Sequence, residues 1–171
     1  LYLGAQVYLN FSPSTQKKVS FSIIGDQLVA FIPKAEWSAD YTSIPHPELK
    51  KPMIQFYKNS GCKTLQLKVD QMSKKMNLFP AKVSYRSQKT RWGSCSSRGN
   101  ISLNWRLIAA PMGTLEYVVI HELAHLEYQD HSKCFWGLVK RFCSNHEEHS
   151  KWLRDHQFEF DFLATSSELH V

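Results

Sequence analysis

His121 and His125 stand four residues apart, with Glu122 between them, in the run His121-Glu122-Leu123-Ala124-His125. On an α-helix four residues advance about 400°, so the two imidazoles sit nearly above one another, roughly 6 Å apart along the axis. From there both rings can reach one metal ion at about 2.0–2.1 Å. Glu122 lies off the ligand axis but close enough to hold a water on that ion, an arrangement in which the carboxylate serves as general base. A catalytic zinc takes three protein ligands and keeps its fourth position for water. His131, six residues after His125, is the best third ligand, because Gln129-Asp130 can end the helix and turn the chain back. His146, His149 and His156 are expected to be solvated and form the reserve. The expected site is therefore Glu122 as the catalytic residue with Zn2+ on His121, His125 and His131.

These residues need a helix to carry them. From about Thr114 the apolar period turns helical, with Leu115, Val118, Val119 and Leu123 as one stripe and Thr114 as the expected N-cap. Asp130 is the expected cap of a next helix bearing Phe135, Trp136, Leu138, Val139 and Phe142, and a last helical segment is expected over about 146–162. Upstream, Ile101, Leu103, Trp105 and Leu107 alternate with polar residues, which predicts a half-buried strand. Val83 to Arg86 reads as another strand, with a polar loop from Gln88 to Gly99 between them. Leu65, Val69, Met72 and Met76 predict a helix over 64–76, separate from an earlier one over 47–59. Residues 19–32, turning at Gly25-Asp26, read as a β-hairpin.

The chain has 171 residues, 43% of them hydrophobic and 13% aromatic, enough for one compact core and unlike a disordered segment. No run approaches the ~18 apolar residues of a membrane span. Residues 1–10 lack the features of a signal peptide, although the chain opens on Leu1 inside what reads as strand, as though an earlier portion were missing. Cys62, Cys95, Cys134 and Cys143 form no C-x-x-C pair, which disfavours a thiolate zinc site and fits free thiols in the cytoplasm. The net charge of +6 is dispersed, so nucleic-acid binding is a minor reading.

The segments Arg91-Trp92-Gly93-Ser94-Cys95-Ser96, Asn104-Trp105-Arg106-Leu107, His121 to Leu126, His131-Ser132 and Phe135-Trp136 together resemble the YgjP-like family of zinc-metallopeptidase-type domains, related to SprT-like proteins. The resemblance is dense over roughly 80–155. It implies a minimal zincin: an α+β fold with a small, mostly antiparallel sheet whose edge strand lies beside the active-site helix, followed by further helices. It also implies zinc on His121, His125 and His131, with Glu122 catalytic. Family members often have a longer N-terminal sheet. On this reading residues 1–171 form a single domain, with an N-terminal hairpin region over 1–46 and a catalytic core over 47–171. Metzincins share the His125-to-His131 interval but place glycine where Tyr128 stands, so the turn here must differ.

The leading expectation is hydrolysis of a peptide bond in a peptide or protein substrate. Trp92, Asn104 and Arg106 are the candidate substrate contacts, and Arg91, Tyr128 and His149 the candidate oxyanion donors. The strand from Ile101 to Leu107 is a candidate for pairing an extended peptide. A nucleotide pyrophosphatase is the first alternative, since that assignment also attaches to the family and Arg91, Arg98 and Arg106 suit phosphates. Against it stand the lack of a glycine-rich phosphate loop and of a carboxylate cluster for magnesium. A non-catalytic DNA-associated module is the second, and a cysteine hydrolase on Cys95 a weak third.

Overall fold

The protein is described from a computed structural model covering residues 1–37, 47–88 and 90–157. Among the described residues it is a mixed α+β fold of two three-stranded sheets and four α-helices. The first sheet contains β1 (Tyr8–Ser14), β2 (Ser20–Ile24) and β3 (Gln27–Pro33) in the order β1-β3-β2. Its antiparallel β2–β3 pair is the expected hairpin, and Gly25 takes a φ of 62° in the turn, where a side chain would be strained. β1 runs parallel to β3 and was not anticipated. The connection around Ile44–Pro45 lies outside the described residues.

Helix α1 (Pro47–Met76) is one continuous element of 30 residues rather than the two expected. The buried positions Ile54, Tyr57, Gly61, Leu65, Val69, Met72 and Met76 recur every three or four residues, so a single apolar stripe runs through the predicted break. Gly61 lies on that stripe because a Cβ there would collide with the backbone carbonyl of Trp105. The helix stops at Asn77, which adopts a left-handed φ of 56°, while the Leu78 amide donates to the Ser73 carbonyl at 3.0 Å.

The second sheet contains β4 (Lys82–Arg86), β5 (Gly93–Cys95) and β6 (Asn100–Asn104), in the order β4-β6-β5. Each sheet combines one parallel pair with one antiparallel pair, so neither is mostly antiparallel. The strand expected over 101–107 ends at Asn104, and Trp105–Ala109 winds into a 3-10 turn. Alternation could not reveal this, because all five residues of the turn are buried. β6 is the central strand, so it has no free edge for a peptide. The edge beside the next helix is β5, from within the segment read as loop.

Helix α2 (Met112–Ala124) begins two residues before Thr114, with Pro111 at its N-cap, and is buried on nearly every side. Helix α3 (Lys133–Phe142) is capped by Ser132, whose hydroxyl accepts from the Phe135 amide, in place of Asp130. Asp130 instead accepts from the Ser132 amide at 3.4 Å. Helix α4 (His146–Asp155) packs on α2; positions 158–162 of the expected last helix lie outside the described residues. The main core joins α1, β6, α2 and α3 around Leu65, Leu103, Leu115, Leu123 and Phe135. No helix among the described residues is long and apolar enough to cross a membrane.

Candidate active site

α2 carries His121, Glu122 and His125, and the turn after it brings back His131. One nitrogen from each of the three histidines lies within 4.8 Å of the others. The His121 and His131 Nε2 atoms are 3.2 Å apart. Two ligands at about 2.0–2.1 Å from a tetrahedral ion would be separated by roughly 3.3 Å, so this spacing fits a shared cation. The His125 Nδ1 faces the Tyr128 carbonyl at 2.9 Å, an acceptor only, so Nδ1 carries the proton and Nε2 presents its lone pair.

The phenyl ring of Phe135, fully buried, underlies all three imidazoles, with centroids at 4.9 Å from His121, 4.5 Å from His125 and 4.8 Å from His131. Trp136 adds a wall, stacked on His131 at 5.6 Å. The sequence expectation placed both rings on a helix stripe and among the segments of the family resemblance, without a role at the site. Their placement on the turn of α3 nearest the histidines assigns them to the site's support.

Burial favours the neutral rings of His121 and His125. Burial, then the neighbouring histidines, pull the His121 pKa down to about 3, and burial lowers His125 as well. Burial alone pushes the Glu122 carboxyl up to about 8. Glu122 is 5% exposed and its Oε2 has no hydrogen-bond partner, as is also true of the buried Nδ1 of His121. An uncompensated buried carboxylate is costly, and a cation held at the converging nitrogens would supply the opposite charge beside Glu122, although it would leave the Nδ1 of His121 unpaired because Nε2 is the atom that faces His131.

Glu122 fits under β5 because residue 93 is glycine. A Cβ at Gly93 would lie 2.5 Å from Oε1, 2.6 Å from Cγ and 2.7 Å from Cδ of Glu122. The glycine was visible in the Trp92-Gly93-Ser94 run, but only the fold places it over the carboxylate.

A cleft of about 310 Å³ opens beside His121 and Glu122, between Arg91-Trp92-Gly93 on one side and Ser150, Leu153, Arg154 and Gln157 on the other. Trp92 and Arg91 therefore line the site. Asn104 and Arg106 do not. Asn104 is 2% exposed, and its amide group donates to the carbonyls of Gln88 at 2.8 Å and Arg91 at 3.2 Å. Its Oδ1 accepts from the Arg106 amide, so it ties the loop to the 3-10 turn. Arg106 is also buried, with its guanidinium 5.5 Å from the Trp105 ring centre. Of the three arginines considered for phosphates, only Arg91 lines the cleft.

His146, His149 and His156, expected to be solvated, are half-buried. His149 Nδ1 pairs with Thr114 Oγ1 at 3.1 Å, which occupies that nitrogen. His156 stacks on Trp152 at 4.2 Å, and His146 on Trp136 at 5.2 Å. Tyr128 contributes its carbonyl to His125, while its hydroxyl pairs with Glu127. All four cysteines are free. Burial and then Glu122 push the Cys95 thiol up to about 11, the wrong direction for a nucleophile.

The family description "YgjP-like, metallopeptidase domain" matches residues 1–156. The chain belongs to the YgjP-like family. The YgjP-like match spans the N-terminal sheet as well as the histidine site. A solved structure titled as the metallopeptidase zymogen of Pyrococcus abyssi abylysin is similar at 22% identity, with a TM-score of 0.48. The similarity covers 54% of this chain and 95% of that one. Comparison with curated proteins finds no match.

Proposed function

We propose that this YgjP-like domain is a zinc metallopeptidase, with the metal on His121, His125 and His131 and Glu122 as general base. The observation that carries the reading is the convergence of three imidazole nitrogens within 4.8 Å, two of them at the 3.2 Å edge of a ligand tetrahedron. When bound there, zinc supplies Lewis acidity, lowering the pKa of water toward about 7 and polarising a carbonyl. Glu122 accepts the proton at its carboxylate and returns it to the departing amine nitrogen. Phe135 and the Tyr128 carbonyl hold the imidazoles in register, and Trp92 walls the cleft against water. β5, the sheet edge next to α2, is suited to pair an extended peptide through its backbone, the role first considered for the strand from Ile101. Four free cysteines support a reducing, cytoplasmic setting.

The test pairs elemental analysis of the purified protein with mass-spectrometric detection of cleavage in a mixed peptide pool. The parent is expected to hold zinc near 1:1 and to cut peptides. Glu122→Gln should keep the zinc and lose about 10²-fold or more of the rate. Parent-rate cleavage by that variant would remove Glu122 from the role.

A further inference from the structure

Among the described residues the cleft beside the histidines carries two arginines at its exposed rim above an apolar floor. Tyr117, Val118 and Leu153 form the floor and are 5%, 4% and 6% exposed. The Tyr117 hydroxyl is engaged by Ser150. At the rim stand Arg91, from the loop before β5, and Arg154, from the last turn of α4, both exposed. Neither has an ion-pair partner among the described residues. Among the described residues the cleft wall carries one carboxylate, Glu122, which is turned inward under Gly93. A neighbouring cleft of about 520 Å³ shares Ser150 and Arg154 and adds Lys140, His146 and a single acid, Glu147.

A guanidinium presents its N–H donors in a planar fork that matches a carboxylate, and it remains charged at any working pH. Two such groups on opposite walls of a cleft focus a positive potential that a flat surface would dissipate into solvent. An apolar floor beneath them suits the methylene stem of the residue whose charge they bind.

We propose that this cleft is a specificity pocket for a carboxylate-bearing residue of an extended peptide. Arg91 and Arg154 bind the carboxylate, and the residue's stem lies on Tyr117, Val118 and Leu153. This assignment rests on the metallopeptidase reading of the adjoining histidines. The same chemistry is offered by a Glu or Asp side chain and by a free C-terminus. A side chain makes the enzyme an endopeptidase that favours acidic positions, and a C-terminus makes it one that trims chain ends.

The experiment uses the zinc-loaded Glu122→Gln protein and a fluorescent peptide set. Glu or Gln is scanned through an otherwise neutral sequence, each peptide with a free or amidated C-terminus. Binding is read by anisotropy, and cleavage of the same peptides by the parent enzyme. At one position, or at the free terminus, the carboxylate peptide should bind about tenfold more tightly than its neutral partner. The position identifies the source. That gap should shrink to about twofold or less when Arg91→Gln and Arg154→Gln are combined, both positions being exposed and outside the core. Arg154→Glu should shift the preference toward peptides bearing Lys at that position. Peptides bound and cut without regard to charge would overturn the pocket and leave the peptidase intact. So would a carboxylate preference that survives loss of both arginines. Tighter binding of tripolyphosphate than of any peptide would assign the arginines to phosphate and also overturn it. A parent that neither binds nor cuts any peptide would bring down the peptidase reading, and the pocket with it.

Discussion

Replacing Gly93 with alanine sets a methyl group against the Glu122 carboxylate. Its three nearest heavy atoms all belong to Glu122, at 2.5, 2.6 and 2.7 Å. Carbon and oxygen pack at about 3.5 Å, so either the side chain or β5 must retreat by nearly 1 Å. Overpacking of this kind costs about 1–3 kcal/mol, and a 1 Å misplacement of a reacting group costs about 10² in rate. The two effects are separable in a double-mutant cycle. Gly93→Ala should lower the unfolding free energy of the otherwise native protein by about 2 kcal/mol and cost little when Glu122 is already alanine, giving a coupling above about 1 kcal/mol. Urea unfolding of the four proteins measures the coupling, and peptide cleavage by Gly93→Ala measures the displacement. Zero coupling, or parent-like turnover in Gly93→Ala, would mean that the glycine does not set the position of the carboxylate.

Four further outcomes are expected. His131→Ala, at an exposed position, should fold normally and hold zinc well below 1:1; unchanged zinc would move the third ligand to another residue. Phe135→Ala removes the ring beneath all three histidines and should cost about 3–5 kcal/mol with weakened metal retention, read by thermal unfolding with and without zinc. Gly61→Ala should destabilise by at least about 2 kcal/mol with zinc affinity unchanged, because the new methyl meets the backbone of Trp105 and none of the three histidines. In metal-free protein, the Glu122 carboxyl is raised by burial from 4.5 to about 8, so folding retains a proton that the unfolded chain releases. This carboxyl's contribution to stability is full below about pH 4.5 and is lost as the pH rises through 8, by roughly 3 kcal/mol at pH 7, while the lowered His121 adds the opposite slope below its ordinary value of 6.5. Denaturation of metal-free Glu122→Gln across that range should lack this slope.

The convergence of the three histidines was more legible than the scaffold, for physical reasons. His121, Glu122 and His125 are tied together by the helical period itself, which needs no tertiary information. His131 needed only a turn, and Gln129-Asp130 marked one. Elements whose limits are set by partners were harder to read. Gly61 keeps α1 unbroken because Trp105 packs against it from another part of the chain. β5 has three residues and pairs only through β6, so its polar sequence carried no alternation long enough to recognise. Asn104 and Arg106 looked like site residues because polar groups near an active-site strand usually face solvent. Here their hydrogen bonds and the ring of Trp105 hold them inside, where they shape the loop that carries Arg91 and Trp92.

Burial acts on the site in two opposing ways that converge on one requirement. It drives protons off His121 and His125 and onto Glu122, which without compensation gives neutral rings beside a neutral acid. A neutral acid cannot accept the proton that hydrolysis releases. On the proposed function, positive charge among the imidazoles would reverse only the second effect: it would keep the ligating rings deprotonated and pull the carboxyl back toward its ionised form. The desolvation that would make Glu122 a poor base in the bare fold would then make its basicity at neutral pH depend on an occupied triad. Gly93, by admitting the carboxylate under the sheet edge at all, is the smallest structural condition for that dependence.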